Sequence, residues 1–424
     1  MAKINVLIFP AGEINSIELH DALSTCVNIE LYGASSIDRH GEYVFKNYIS
    51  NVPLINSPDF FEKFNALLSE KKIDVIFPTH DTVAEFFAEN ADKINAKIIC
   101  ADKETAEICR DKGKTFNLFK GYDFCPEMYD DLNKLPVFIK PKKGQGAVGA
   151  KLIKDETDIP NNIDLKDFVI CEYLSGEEYT VDCLTDKNGK LQAVMPRSRK
   201  RLMAGVCVAG QNEELTDEIK NIAETINQKL KFTGLWYFQI KKDVNGKFKL
   251  LEISTRCAGT MCLTRAQGVN LPLLSVYTAM GKDICVFKNP YNVIMDRTLI
   301  SRYKIDYDYD TVYFDFDDTL IINEKVHLPS IRFLYQCRNL NKKIILITRH
   351  EKDLYETFKT FAISKDLFDE IVHIGLNDKK TDYINPDKAI FVDNAYQERK
   401  LVYDKFNIPV FDVEGIEVIS DWKN

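Results

Sequence analysis

The stretch that decides the fold of the central part of this chain is PVFIKPKKGQGAVGAKLIKD, residues 136–155. Its glycine run, GQGAVG at 144–149, matches the GxGxxG pattern of dinucleotide-binding proteins letter for letter. That pattern needs a helix after the glycines, whereas AKLIKD alternates apolar and polar residues as a strand does. The stretch therefore predicts a glycine-rich flap between two antiparallel strands, whose backbone N–H groups are free to approach a phosphate. An NAD-linked oxidoreductase is disfavoured, and a plain glycine-rich hairpin is the alternative.

The regions on either side of this stretch differ in the spacing of their apolar residues. The first hundred residues alternate apolar runs such as DVIFPTH with helical periods such as SPDFFEKFNALLSEKK, which predicts a parallel sheet and a Rossmann-like domain over residues 1–105. After the flap, EYTVDCLTD pairs with KLQAVMPRSR and GLWYFQIKKD with KFKLLEIST through the turns KNGK and VNGK. These pairs predict antiparallel hairpins, with a helix near 215–230 between them. We assign them to a second domain over residues 106–290.

A third domain is predicted at the end of the chain. Residues 282–310 are irregular, with Pro290 and the polar run DYDYD, and we predict a linker over 291–308. From Val312 onwards, VYFDF, KIILIT, EIVHIG, AIFVDN and PVFDV predict five strands that alternate with helices. They indicate a small doubly wound domain over residues 309–424, so the whole chain is α/β in class.

Composition narrows the functional classes. The chain has 424 residues, 45% of them hydrophobic, which is enough for two or three domain cores. Its 56 basic and 64 acidic residues give a net charge of -8 without long runs of one sign, so no nucleic-acid-binding surface is indicated. No signal core or membrane-length apolar window is seen, and we expect a cytoplasmic protein without a membrane partner. The eleven cysteines lie singly in apolar runs, and we interpret them as reduced core residues.

Five further motifs follow one another along the chain: RDKGKTF with Lys112, FIKPKKGQGAVG with Lys140, CEYLSGEE, WYFQIKK and LLEISTRCAGT. In this order they resemble the ATP-grasp superfamily, over residues 1 to about 285. Each motif is weak alone, and the five together are strong. The resemblance implies that the lysines and the flap contact ATP phosphates, that Glu172 and the backbone near Leu174 read adenine, and that Glu178 binds the ribose hydroxyls. The ATP-binding residues implied are Lys112, Lys140, Gly144, Gly146, Gly149, Glu172, Leu174 and Glu178.

The metal positions of the resemblance are occupied imperfectly. The family usually presents two acidic residues and an asparagine to Mg²⁺, whereas this chain has Gln239, Glu252 and Ser254. All three offer oxygen, as Mg²⁺ requires, but serine is a shorter and less usual ligand. Arg256 lies two residues after Ser254 and would share its face on a strand, within reach of the transferring phosphoryl group. The alternative is an ordinary sheet strand in which Glu252 forms an ion pair.

The resemblance implies an ATP-dependent ligase for a small-molecule carboxylate and an amine. The γ-phosphoryl group of ATP passes to the carboxylate, and the amine attacks the resulting acyl phosphate, so ADP and phosphate are released. The basic segment PRSRKR, residues 196–201, predicts a clamp for an anionic substrate through Arg197 and Arg199. A solvated strand face is the alternative.

The C-terminal domain has its own chemical motif in TVYFDFDDTL, residues 311–320. Asp315 and Asp317 follow a hydrophobic strand, Thr348 ends the next one in ITRH, Lys380 lies in DKKTDYI, and Asp393 follows the strand in AIFVDN. In this order they resemble the four motifs of the haloacid dehalogenase superfamily. The resemblance implies a Mg²⁺-dependent phosphatase: Asp315 is the nucleophile, Asp317 the general acid and base, and Thr348 and Lys380 hold the phosphate.

We expect Asp315, Asp317 and Asp393 to supply the Mg²⁺ site of this domain. Asn394 stands where a second aspartate often lies, and Lys379 or Lys388 is an alternative to Lys380. The intervals between the motifs leave no room for a cap domain, so we hypothesise that the open phosphatase site acts on a phosphorylated substrate or product of the ligase. Three alternatives stay open: a non-catalytic C-terminal lid, a dimerisation module that forms a homodimer, and an ATP-binding sensor without turnover.

Overall fold

A computed structural model describes residues 3–37, 40–144, 148–159, 164–203, 205–421 and 423. The chain divides into two compact units, residues 1–299 and 300–424, which we call the N-terminal unit and the C-terminal unit. All eleven cysteines are free thiols, and most of them are buried.

The N-terminal unit begins with a parallel sheet, as the sequence predicts. Its strands are β1 (Ile4–Phe9), β2 (Ile29–Ala34), β3 (Asn47–Ile49), β4 (Val75–Pro78) and β5 (Lys97–Ile98), in the order β3-β2-β1-β4-β5. Its helices are α1 (Ile14–Leu23), α2 (Phe60–Glu70) and α3 (Asp81–Glu89). Phe9, Phe60, Phe64 and Phe87 are buried together, with ring centroids 4.9–6.4 Å apart. This aromatic cluster packs α2 and α3 onto one face of the sheet.

The strands on either side of the predicted flap belong to a four-stranded antiparallel sheet. Two helices, α4 (Lys103–Arg110) and α5 (Lys112–Leu118), lead into β6 (Met128–Tyr129), β7 (Val137–Pro141), β8 (Lys151–Ile153) and β9 (Phe168–Glu172). The strand order is β6-β9-β7-β8, and β7 pairs antiparallel with β8. The stretch after the glycines is therefore a strand, as predicted. Gly146 lies outside the described residues, and Gly149 has a positive φ of 75°, which favours glycine.

The N-terminal unit contains a second four-stranded antiparallel sheet. Its strands are β10 (Glu178–Thr185), β11 (Leu191–Ser198), β14 (Gly234–Lys242) and β15 (Phe248–Ser254), in the order β11-β10-β14-β15. Between them come β12 (Arg201–Met203), β13 (Val206–Gln211) and α6 (Asp217–Lys229), and after them α7 (Cys262–Ala266), α8 (Leu271–Ala279) and β16 (Ile294–Asp296). Apolar residues on one face of α6, Ile219, Ile222 and Ile226, pack into the core behind this sheet.

The predicted linker is partly structured. Strand β16 falls inside residues 291–308, yet it pairs antiparallel with β13 in the N-terminal unit. Only three residues form this strand and two of them are exposed, so it lacks the apolar alternation that sequence reasoning requires. The first part of the segment therefore belongs to the N-terminal unit.

The C-terminal unit is a five-stranded parallel sheet with helices, as predicted. Strands β17 (Thr311–Phe314), β20 (Lys343–Thr348), β21 (Glu370–His373), β22 (Ala389–Val392) and β23 (Val410–Phe411) have the order β21-β20-β17-β22-β23. A small hairpin, β18 (Ile321–Ile322) and β19 (Lys325–Val326), follows β17. The helices are α9 (Leu328–Asn339), α10 (Leu354–Thr360), α11 (Tyr396–Phe406) and α12 (Ile416–Ile419). Because β17 lies between β20 and β22, the motif residues at their carboxyl ends are neighbours.

Candidate functional sites

A cavity of about 350 Å³ in the N-terminal unit is lined by residues from both antiparallel sheets. This volume is in the usual range of small-molecule sites. Most of the residues predicted from the sequence line it: Lys112, Lys140, Gly144, Glu172, Leu174, Glu178, Arg197, Arg199, Gln239, Glu252 and Arg256. The structure thus brings together side chains that are up to 144 positions apart in the sequence, from 112 to 256.

The two lysines predicted to contact phosphates both line the cavity. Lys140 is 7% exposed, and its Nζ donates to the Leu251 carbonyl at 2.9 Å and lies 4.8 Å from the ring centroid of Phe116. Burial lowers the pKa of Lys140. Lys112 Nζ donates to the Gly144 carbonyl at 3.3 Å and lies 3.8 Å from Glu252. A polyphosphate is a suitable ligand because its negative charge would compensate the positive charge of the buried Lys140 ammonium group.

Two glutamates form the end predicted for the nucleoside. Glu172 Oε1 accepts from the main-chain N–H of Glu127 at 2.9 Å, which fixes the carboxylate at the cavity that the buried Leu174 also lines. Glu178 Oε1 lies 2.8 Å from Arg199, and its Oε2 lies 3.9 Å from Lys241. These contacts position the Glu178 side chain at the cavity wall.

The predicted metal residues come together in part. Gln239 lies directly opposite Glu252 in the pairing of β14 with β15, so the two oxygen-bearing side chains are neighbours. Ser254 is two residues further along β15, and its hydroxyl donates to Asp81 at 3.0 Å. The part of the chain that the structure describes contains no group of three His, Cys, Asp or Glu side chains arranged for a metal.

Arg256 has a partner that the sequence analysis missed. Its Nε and terminal nitrogen donate to the two oxygens of Asp81 at 2.8 and 2.9 Å. Burial opposes ionisation of Asp81, yet the guanidinium holds the pKa of this carboxyl below its usual value. Asp81 begins α3 in the run PTHD, directly after a buried strand, and this position was the only sequence signal.

The two arginines predicted as an anion clamp already have partners. Arg197 is 1% exposed and donates to both oxygens of Asp182 at 2.9 and 3.0 Å, and it also donates to Thr260. Arg199 pairs with Glu178 and donates to the Gly205 carbonyl at 3.0 Å. Because Asp182 balances its charge, Arg197 has a structural role in this arrangement rather than that of a free cation for a substrate.

The C-terminal unit gathers its motif residues at the carboxyl ends of adjacent strands. Asp315 follows β17, Thr348 ends β20 and Asp393 follows β22, and all three are at most 5% exposed. Lys380 Nζ donates to Asp315 at 2.5 Å and to Asp393 at 2.6 Å. Lys388, the alternative lysine, instead pairs with the exposed Asp310 at 3.6 Å. This geometry favours Lys380 as the site lysine.

The electrostatics of this cluster are dominated by burial. Burial and the neighbouring Asp393 carboxylate raise the pKa of Asp315, and burial also raises the pKa of Asp393. Lys380 opposes both shifts by its positive charge. Thr319, which sequence reasoning left without a role, donates to Asp315 at 3.2 Å and accepts from the main-chain N–H of Asn394 at 3.0 Å.

Asp317 has a different partner from the other two predicted metal ligands. Its side chain is 52% exposed and lies 2.8 Å from Nδ1 of His350. Nε2 of His350 in turn lies 2.9 Å from the Thr357 hydroxyl. Asp315 and Asp393 therefore converge through Lys380, whereas the Asp317 carboxylate points to His350.

Part of the N-terminal unit matches a known protein family. Residues 164–298 match the profile of a family described as ATP-grasp in the biosynthetic pathway with Ter operon. In shape, the chain resembles the biotin carboxylase domain dimer of 2-oxoglutarate carboxylase from Hydrogenobacter thermophilus, which was solved with MgADP, ADP and bicarbonate. The TM-score is 0.56 at 17% identity, covering 68% of this chain and 72% of that one. The N-terminal unit has an ATP-grasp fold.

Two curated relatives resemble parts of this chain in sequence. The 3-methyl-D-ornithine–L-lysine ligase of Methanosarcina barkeri is 27% identical over 152 residues, which are 35% of this chain and 40% of that protein. The D-alanine–D-alanine ligase of Mannheimia succiniciproducens is 24% identical over 181 residues, 36% of this chain and 59% of that protein. The matches thus span about two fifths to three fifths of these relatives. Within the described residues, none of the helices combines the length and apolar character of a membrane span.

Proposed function

We propose that the ATP-grasp unit is an ATP-dependent carboxylate–amine ligase that works through an acyl phosphate and releases ADP. The observation that carries this proposal is the single cavity that unites Lys112, Lys140, Glu252 and Arg256. Both curated relatives are named as ligases that join amino acids, which supports the same reaction class.

The residues of the cavity have distinct tasks in this reaction. Lys112 and Lys140 hold the phosphates of ATP as point charges, while Glu172 and Glu178 orient adenine and ribose. The acid then lies beside Arg256, whose guanidinium Asp81 holds in place. Attack of the carboxylate oxygen on the γ-phosphorus forms the acyl phosphate and releases ADP. The amine nitrogen attacks the acyl carbon, loses a proton and expels phosphate.

Gln239 and Glu252 fit a Mg²⁺ ion because they present oxygens side by side on neighbouring strands. The Ser254 hydroxyl donates a hydrogen bond to Asp81, so its oxygen retains lone pairs for a third contact with the ion. The ion supplies charge neutralisation of the phosphates when it is bound.

We further propose that the C-terminal unit is a phosphatase for a phosphorylated substrate or product of the ligase. The convergence of Asp315, Lys380 and Asp393 at adjacent strand ends supports it. Asp315 would attack phosphorus and displace the substrate's alcohol oxygen, which Asp317 protonates, while Thr348 and Lys380 hold the phosphate oxygens. Water that loses a proton to Asp317 would then cleave the aspartyl phosphate, which releases phosphate and restores Asp315. Asp315 and Asp393 fit a shared Mg²⁺ ion, which neutralises phosphate charge when bound.

The ligase proposal is tested by ADP formation in purified protein with ATP, Mg²⁺ and pooled carboxylates and amines, with products identified by mass. We expect ADP only with particular pairs, together with a product whose mass is the sum of acid and amine minus water. AMP in place of ADP contradicts the acyl-phosphate route. Nucleotide binding without any turnover favours a sensor.

A further inference from the structure

The basic side chains that line the ATP-grasp cavity differ in whether they have a carboxylate partner. Seven lysines and arginines line it, and five of them have a carboxylate partner within 4 Å. Among the residues that the structure describes, the two without such a partner are Lys140 and Arg297. Lys140 is accounted for by the ATP phosphates in the proposed reaction, whereas Arg297 has no assigned role.

Arg297 is held rigidly although it has no ion pair. It follows β16, and its Nε and one terminal nitrogen donate to the Cys207 carbonyl at 3.2 and 2.9 Å. The other terminal nitrogen donates to the Gly259 carbonyl at 2.9 Å. A guanidinium has five N–H donors, so two of them remain for a ligand. Neutral carbonyls orient the group but leave its positive charge uncompensated in a half-buried site.

Arg297 and Arg256 are tethered to the same short segment. Arg256 donates to the Cys257 carbonyl at 3.0 Å, two residues before the carbonyl that anchors Arg297. Two residues span at most about 7 Å, so the two guanidinium groups lie within roughly 13 Å of each other. Helix α1 also begins at this cavity, at Ile14 and Asn15, and the positive end of its dipole adds to the field.

We propose that Arg297 binds a second anionic group of the acid substrate, while Arg256 lies beside the carboxylate that is activated. The substrate class is therefore a small carboxylic acid that carries another carboxylate or a phosphate. A planar guanidinium with two free N–H groups matches either oxyanion, and pairing would balance the one arginine charge that the cavity leaves open. This inference rests on the proposed ligase function, because that function is what makes the bound acid a substrate.

The test is binding of matched acids to the full chain with ADP and Mg²⁺ present, measured by calorimetry at constant ionic strength. The probe pairs are L-glutamate against L-glutamine, succinate against butyrate, and O-phospho-L-serine against L-serine. They are compared in wild type, Arg297→Met and Arg297→Lys. Arg201→Met is the matched control, because Arg201 is an exposed arginine of β12 that pairs with Asp296, next to Arg297, and does not line the cavity.

In wild type, we expect at least one dianionic acid to bind more tightly than its monoanionic partner. In Arg297→Met, the dissociation constant of that acid should rise about 10- to 100-fold, with a change of less than about 3-fold for the monoanion. Arg297→Lys should recover part of the loss through its charge, and Arg201→Met should behave as wild type. A preference for O-phosphoserine identifies the second group as phosphate, and a preference for glutamate or succinate identifies it as carboxylate.

Equal preference for the dianion in wild type and in both Arg297 variants overturns the proposal, as does a wild type without any such preference. Thermal unfolding without ligand shows whether each variant is folded, and Arg297→Lys serves if Arg297→Met is not. ADP formation from ATP, measured in separate reactions of the same protein variants with the acid and pooled amines, reports on the ligase. Binding that depends on Arg297, without any ADP formation, supports the anion site and rejects the ligase. ADP formation together with acid binding that does not depend on Arg297 supports the ligase and rejects the anion site.

Discussion

Replacing Arg197 should damage the stability of the ATP-grasp unit more than any specific substrate contact. Arg197 and Asp182 are 1% and 0% exposed, and Thr264 also donates to Asp182 at 2.7 Å. Arg197→Met removes the bidentate partner and leaves Asp182 as a buried charge with one side-chain hydrogen bond from Thr264. Breaking such a pair from one side costs about 3–5 kcal/mol.

The size of the thermal effect follows from the size of the unit. A unit of 299 residues has an unfolding entropy of about 0.6 kcal/mol/K, so the loss lowers its unfolding temperature by about 5–8 °C. The control is Arg201→Met, which breaks the ion pair with Asp296. The side chains of Arg201 and Asp296 are 58% and 67% exposed. Exposed pairs contribute about 0–1 kcal/mol, so the control should shift by at most about 2 °C.

The assay is differential scanning calorimetry of the two variants and of the double variant Arg197→Met/Asp182→Leu. The double variant should recover much of the lost stability, because it removes both buried charges together. If Arg197→Met unfolds within about 2 °C of wild type and raises only the KM for the acid, then Arg197 is a substrate clamp and the structural reading of the pair is refuted.

Three further predictions concern single side chains. Lys140→Met should weaken ADP binding, measured by calorimetry, by about 10- to 100-fold through loss of a charged contact, and unchanged affinity would contradict its phosphate role. If the proposed phosphatase is correct, Asp315→Asn should abolish hydrolysis of an aryl phosphate, since it removes the proposed nucleophile; equal rates in mutant and wild type would reject that role. The stabilisation from Asp81, whose folded pKa is lowered beside Arg256, is present above about pH 4 and is lost as the pH falls through that pKa. The difference in urea stability between wild type and Asp81→Asn should therefore shrink below about pH 4.

Strands with a regular pattern of apolar residues could be predicted from the sequence. DVIFP and KIILIT form buried parallel strands, and the strand after the glycines in GQGAVG was decided by the alternation of AKLIKD. Strand β16 was missed because it has three residues and pairs only with β13. Its existence depends on a distant partner, which no local pattern reveals.

The cavity residues were predictable by motif order, but their charge balance was not. Lys112, Lys140 and Glu252 were placed in one site from the sequence, and they line one cavity. The partners Asp81 and Asp182 are 175 and 15 positions from the arginines they neutralise. Ion pairing across such distances depends on how elements pack, so the sequence could not distinguish the balanced Arg197 from the unpaired Arg297.

The most direct test of the ligase account follows oxygen atoms. The acid that supports ADP formation is prepared with oxygen-18 in its carboxylate, and the released phosphate is analysed by mass spectrometry. An acyl phosphate predicts transfer of one labelled oxygen from the acid to the phosphate, because the amine expels phosphate together with the carboxylate oxygen that attacked ATP. Phosphate without label, or label found in AMP, would contradict the central claim.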